Sequence, residues 1–292
     1  AANLRAHLPA VAAETAPALR IVVVDDGSTD GTSMVVDELR HRDARVSLLR
    51  LDDEPAPGVF GKPRALAAAL DDARASGALP ALALFLDADM RVEPGLLGGL
   101  VAALRRDGAH ALSGVPRLEL HTLSEVLFLP TLVALLTGHV RAARVHAARA
   151  QDAFLNGQVL LLDTAALQQV GGWQAVAGTV LEDVALARRL KAAGMTLRLG
   201  DLRALASTRM YASYREMARG FGKNATALLG RRAGVLGALA FARSLAPWLA
   251  LALASYGGGP VTQVVVVALF LATLLVQAKS RRDAGVPIWP VL

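Results

Sequence analysis

Leu84-Phe85-Leu86-Asp87-Ala88-Asp89-Met90 is an apolar run that ends abruptly in two aspartates one residue apart. Taken with the residues before it, Ala81 to Leu86 reads as a buried strand, carrying the chain to the edge of a sheet. Asp87 and Asp89 then fall where the strand runs out, the place where open α/β sheets bind ligands. Paired carboxylates there suit a hard divalent cation carrying a phosphorylated substrate. Alone, the stretch is more simply a strand with an acidic turn. Its meaning rests on what the rest of the chain sets beside it.

Toward the N-terminus, Ile21 to Val24 is a short β-branched run of the buried parallel-strand kind, stopped by the turn and helix-start cluster Asp25-Asp26-Gly27-Ser28-Thr29-Asp30-Gly31-Thr32. A helix over Met34–His41 and a strand over Val46–Leu51 follow, so the order is strand, helix, strand, as in a Rossmann-like layered sheet. Asn3 to Thr15 has helical spacing ahead of them. The loop Asp52–Lys62 leads into a helix from Pro63 to Ala75, which puts Lys62 at a helix N-terminus, a favourable place for an anion. Toward the C-terminus, a helix runs from Glu93-Pro94 through Arg105, and Ala109 to Leu120 returns as a strand. Asn156-Gly157-Gln158 precedes the strand Val159–Leu162, and a short helix over Ala165–Val170 ends at Gly171-Gly172-Trp173. Glu182-Asp183 opens an amphipathic helix to Ala193, with Leu181, Val184, Leu186 and Leu190 inward and Arg188, Arg189 and Lys191 toward water. Thr196 to Leu199 is a strand, and Tyr211 to Leu229 a mixed helix.

Composition narrows the class. The 292 residues are 54% hydrophobic and 19% charged, more apolar than an ordinary soluble enzyme. Cysteine is absent, which excludes disulfides, thiolate metal sites and cysteine nucleophiles. The net charge of +6 is spread through Ala/Leu-rich helices and aromatic residues are only 4%, so a nucleic-acid partner is not expected. A basic surface facing anionic lipid fits better. Ser124 to Val140 reads as a buried or interfacial apolar helix. Two longer apolar stretches, Ala233–Tyr256 and Val261–Ala278, are each expected to cross a bilayer. Basic residues at the outer ends of this hairpin, Lys223, Arg231, Arg232, Lys279, Arg281 and Arg282, put both ends in the cytoplasm. Arg243 inside the first stretch is the anomaly. The expected division is therefore a catalytic domain over 1–229 and a membrane anchor over 230–292.

Three acidic sites recur at the starts or ends of elements: Asp25-Asp26, Asp87-x-Asp89 and Glu182-Asp183. Gly61-Lys62-x-x-Ala65-Leu66 and Asn156-Gly157-Gln158 lie between them, with Gly171-Gly172-Trp173 and Glu182-Asp183-x-x-Leu186-x-x-Arg189-Leu190 behind. In order and spacing this set resembles the family 2 glycosyltransferases of the GT-A fold over about residues 1–225. The resemblance implies an α/β nucleotide-diphospho-sugar transferase domain whose opening strand, normally ending in Pro-x-x-Asn-Glu, is missing here. It implies that Asp25, Asp26, Lys62 and Asp87 bind the nucleotide sugar, and that Asp89 holds a Mg²⁺ or Mn²⁺ bridging the diphosphate. Asp183 is then the general base toward the acceptor hydroxyl, with Asn156, Gly157, Gln158 and Glu182 on the acceptor side. Such a single displacement inverts the anomeric centre. At its helix N-terminus Asp183 is expected to ionise more readily, unless burial opposes it.

The Gln-x-x-Arg-Trp signature of processive polysaccharide synthases is absent, and Tyr214-Arg215-Glu216-Met217-Ala218-Arg219 stands in that region. The chain thus looks more like the membrane-associated members that glycosylate lipids, including hopanoid- and carotenoid-associated ones. The expected function is a membrane-anchored inverting glycosyltransferase at the cell (inner) membrane, with its catalytic domain cytoplasmic and a lipid or membrane-borne acceptor. Two alternatives remain: a polyprenyl-phosphate glycosyltransferase, using Arg215, Arg219 and Arg243 on the acceptor phosphate, or a non-catalytic nucleotide-sugar-binding scaffold.

Overall fold

The computed structural model describes residues 1–14, 19–122, 142–147, 152–211 and 259–283, together with 125, 126, 129, 130, 133, 140, 213, 215–220 and 252. The chain divides into two units, Ala1–Arg117 with Val140–Arg209, and Leu118–His139 with Met210–Leu292.

The first unit holds the sheets. Strands β1 (Ile21–Asp25) and β2 (Val46–Arg50) pair in parallel, Ile21 beside Val46, joined by α2 (Thr32–Arg40). Helix α1 (Ala2–Ala12) packs Leu8 and Ala12 into the cluster formed by Ile21, Val36 and Val46. After α3 (Gly61–Ala75), β3 (Leu82–Leu86) enters a four-stranded sheet with β5 (Ala111–Val115), β7 (Val159–Asp163) and β8 (Leu197–Asp201), in the order β3-β7-β5-β8. The short strands β4 (Met90–Val92) and β9 (Ala206–Thr208) pair antiparallel. The remaining elements are α4 (Leu96–Arg106), β6 (Arg117–Leu118), α5 (Ala142–His146), α6 (Thr164–Gln169) and α7 (Glu182–Ala192).

Alternation along the strands explains why the four-stranded sheet is covered on both faces. Leu160 and Leu162 of β7, with Phe85 of β3, point into a core shared with Leu167, Trp173, Leu186 and Leu190. Val159 and Leu161 point the other way, into a core with Leu96, Leu100 and Leu104 of α4. Trp173, fixed behind the left-handed Gly171 and Gly172, meets the Phe85 ring edge-on at 5.1 Å. The sequence therefore shows continuous apolar runs rather than polar alternation.

The structure corrects several expectations. The sense of β3, which its residues leave open, is antiparallel to β7, Leu84 opposite Leu161, and β7 runs antiparallel to β5, whereas the parallel strand expected at Ile21–Val24 does pair in parallel. Both faces are buried all the same, so the residue pattern mimics a parallel strand. The single strand expected over Ala109–Leu120 is divided at Pro116, which has no N–H to donate, into β5 and β6. The strands β4 and β9 have three residues each, too short to set up a pattern. Lys191 does not face water: its ammonium is buried and donates to the Val145 and Ala147 carbonyl oxygens, closing the end of α5.

In the second unit, Leu118, Leu129 and Met217 form a small core with Leu120, Val133 and Tyr211. Most of Ser124–Val140, and the helix expected over Tyr211–Leu229 beyond residues 215–220, lie outside the described residues. So does the first expected membrane span, apart from Ala252. The second forms helix α8 (Pro260–Asp283). Among the described residues no helix is long and apolar enough to cross a membrane, so the expected crossing is not met.

Candidate active site

The candidate residues meet where β1 and β3 end and where β7, α3 and α7 begin. Helix α3 starts at Gly61, two residues earlier than Pro63 suggests, and so carries Lys62 in its first turn. The Lys62 ammonium lies 2.6 Å from Asp87 Oδ1 and 3.3 Å from Glu182 Oε1. It also donates to the Gly157 carbonyl oxygen at 3.2 Å. One cation thereby ties the end of β3, the turn before β7 and the start of α7. Three carboxylates, Asp87, Glu182 and Asp183, pull the Lys62 pKa up to about 12 against the opposing and largest effect of burial.

Gly157 is needed for this closeness. A Cβ there would lie 3.0 Å from Asp183 Oδ2 and 3.2 Å from the Lys62 ammonium. Its N–H donates to Asp183 Oδ2 at 2.8 Å, while the Val184 N–H donates to Asp183 Oδ1 at 2.7 Å. Burial nevertheless pushes the Asp183 carboxyl above the usual carboxylate range, against these two N–H donors. Of the two opposing effects named from sequence, burial wins over the helix terminus. Glu182 is also pushed up by burial, with Asp183 adding to this against the pull of Lys62. Asn156 builds the turn: its side chain donates to the Gly114 carbonyl at 3.0 Å and accepts from the Gln158 N–H at 3.1 Å. The Gln158 carbonyl in turn accepts from the Asp87 N–H at 3.1 Å.

Asp89 differs from Asp87. Its Oδ2 accepts from the Thr208 hydroxyl at 3.2 Å, while its Oδ1 is buried with no hydrogen-bond partner among the described residues. Burial and the neighbouring Asp87 charge push its pKa up. Asp25 is turned away from this cluster. It is only 2% exposed, and its carboxylate accepts from the Ser28 N–H at 2.8 Å and the Ser33 hydroxyl at 2.9 Å. Burial pushes it up, but these hydrogen bonds win and hold it below the usual range. It organises the Gly27–Thr32 turn. Asp26 faces outward and pairs with Arg64 at 3.0 Å. A Cβ at Gly61 would lie 2.6 Å from Asp26 Oδ2, so only glycine lets that carboxylate sit there.

Two residues in this arrangement had no role in the sequence reading. Arg64 stands at an unspecified position of the Gly61-Lys62 motif, and its charge next to a helix start was the available signal. Thr208 has no local signal at all, because its relation to Asp89 spans 119 residues.

A mixed sheet bearing an acid-rich strand end, with a cationic helix N-terminus against it, defines an α/β glycosyltransferase of the GT-A fold. More narrowly, residues 1–199 match the family described as glycosyltransferase like family 2, and the chain belongs to that family. Among solved structures it is similar to the mannosyltransferase PcManGT from Pyrobaculum calidifontis in complex with GDP-Man and Mn²⁺. The identity is 20%, covering 98% of this chain and 80% of that one, with a TM-score of 0.59. It is also similar to S. aureus TarS 1–349 in complex with UDP-GlcNAc, at 17% identity, 74% of this chain, 57% of that chain and a TM-score of 0.50. No curated protein matches the sequence.

The family resemblance implies a divalent cation at this site. Among the described residues no group of three or more His, Cys, Asp or Glu side chains is assembled to hold a metal. A cation held jointly with a substrate diphosphate needs less from the protein, since Mg²⁺-type sites are completed by phosphate and water around one or two carboxylates. The orphaned Oδ1 of Asp89 fits that need.

Proposed function

We propose that the protein moves a sugar from a nucleotide-diphosphate donor to a hydroxyl acceptor by a single inverting displacement. The observation that carries this reading is the Lys62 node, which joins Asp87 at the end of β3 to Gly157, Glu182 and, through Gly157, Asp183. In the reaction the acceptor oxygen bonds to the anomeric carbon, and the bond from that carbon to the diphosphate oxygen breaks. The electron pair leaves with the diphosphate, and the acceptor's proton passes to a carboxylate. Asp183 suits that last role, since burial raises its proton affinity while the Gly157 and Val184 N–H groups fix its orientation. Lys62 offers an ammonium to the departing diphosphate. A Mg²⁺ or Mn²⁺ held by Asp89 would supply further positive charge there. Asp26, exposed beside Arg64, suits the nucleoside end of the donor.

The reading includes a lipid or membrane-borne acceptor and work at a membrane surface with the catalytic unit on the cytoplasmic side. Its support is α8, whose Val261, Val264, Leu269 and Leu275 are between 59% and 77% exposed. A helix apolar on all sides belongs in an apolar environment.

Donor screening with Mn²⁺, followed by transfer assays, tests the proposal. Asp183→Asn is expected to lower kcat by roughly 10²–10⁴-fold, the usual worth of a positioned general base, with little change in donor binding. Asp89→Ala should lower donor binding as well. Transfer that survives both substitutions at the parent rate refutes the assignment, and a parent that binds donor without transferring it favours a scaffold.

A further inference from the structure

Thr208 lies opposite Met90 in the β4–β9 ladder, with no exposed surface. Its surroundings are apolar: Met90, Val92 and Ala206 belong to the core beneath α4. Valine has the same shape and would fill such a position without a hydroxyl to desolvate. Among the described residues the hydroxyl makes one hydrogen bond, donating to Asp89 Oδ2 at 3.2 Å. The other oxygen of that carboxylate, Oδ1, is buried and without a partner among the described residues. The two oxygens are thus divided, one tied to the sheet and one left with its lone pairs for a ligand.

We propose that Thr208 is a positioning residue for the divalent-cation carboxylate: it grips Asp89 by Oδ2 and so presents Oδ1. This rests on the reading of Asp89 as the metal-holding residue. A carboxylate pinned by an outer hydrogen bond loses less side-chain freedom when a cation arrives, and removal of such partners typically weakens metal binding by about 10–100-fold. The placement also explains why a threonine is buried at the end of a three-residue strand.

The test is Mn²⁺ binding to the full chain, metal alone, followed by electron paramagnetic resonance of the free ion. Thr208→Val should weaken binding about tenfold or more, and Thr208→Ser should stay within about threefold of the parent. The thermal midpoint of both is expected to stay near the parent's. If Thr208→Val folds poorly, Thr208→Ser against Thr208→Ala isolates the hydroxyl, and Ser should bind more tightly. Parent-like Mn²⁺ binding by Thr208→Val, or by Thr208→Ala where that pair is used, overturns the inference while leaving Asp89 as a ligand. Binding by Asp89→Asn equal to the parent's instead overturns the metal reading on which it rests.

Discussion

Lys62 faces more negative charge than it can balance. Asp87, Glu182 and Asp183 all act on it, and Asp89 lies just beyond. Its folded pKa of about 12 stands above the ordinary 10.5, so its contribution to stability is complete below 10.5 and is lost as pH rises through about 12. The carboxylates raised by burial depend on pH in the opposite sense. Burial raises Asp89, Glu182 and Asp183, so each costs stability when ionised and relieves that cost as pH falls through its raised value. Lys62→Met should destabilise the protein by about 2 kcal/mol at pH 8, less than a fully buried pair because Lys62 and Asp87 are partly solvated. The loss should shrink as pH falls through the raised values of these carboxylates, as denaturant titrations over a series of pH values would read. At this scale the sequence was informative where chemistry is local. Asp87 and Asp89 stand out because they end an apolar run, and Lys62 and Asp183 because they stand at helix starts. Asp25 and Asp26 are adjacent yet opposite in role, one buried in its own turn and one exposed, a distinction that depends on where the loop folds back.

Strand β7 is the element on which the sheet depends, since it pairs with β3 on one side and β5 on the other and feeds both cores. Leu161→Ala should cost about 3 kcal/mol, in the range for a fully buried leucine, measured by chemical unfolding. Helix α7 joins the site to a remote segment. It starts at Glu182 and Asp183, and one face of it carries Lys191 to the end of α5. Burial holds the Lys191 pKa below its ordinary value, with Arg198 adding to the effect. Lys191→Met should leave the Asp183 contacts intact and loosen α5, seen as faster amide exchange over residues 142–147. The helices and longer strands were legible because five or more residues in a row carry a pattern. The antiparallel sense of β3 was not, because a strand covered on both faces has the same residues whichever way its neighbour runs.

At the scale of the whole molecule, the two units differ in what they leave exposed. The first buries its apolar runs between sheet and helices, whereas α8 keeps valines and leucines on its surface. If α8 attaches the protein to lipid, a chain ending at Gly258 should lose sedimentation with anionic vesicles while still binding donor. Vesicle binding unchanged by the truncation would place any attachment elsewhere. The sequence by itself determined the α/β class, the longer helices and strands and the family, because periodicity and short motifs are properties of neighbouring residues. It also located the acidic strand ends that open the question of function. Only the tertiary structure decided that Lys62, Gly157 and Asp183 meet, that Lys191 is buried, and that Asp89 has one oxygen tied to Thr208 and one without a partner. Those relations join residues 26 to 119 positions apart or more than one element away, and no local pattern encodes a distance of that kind.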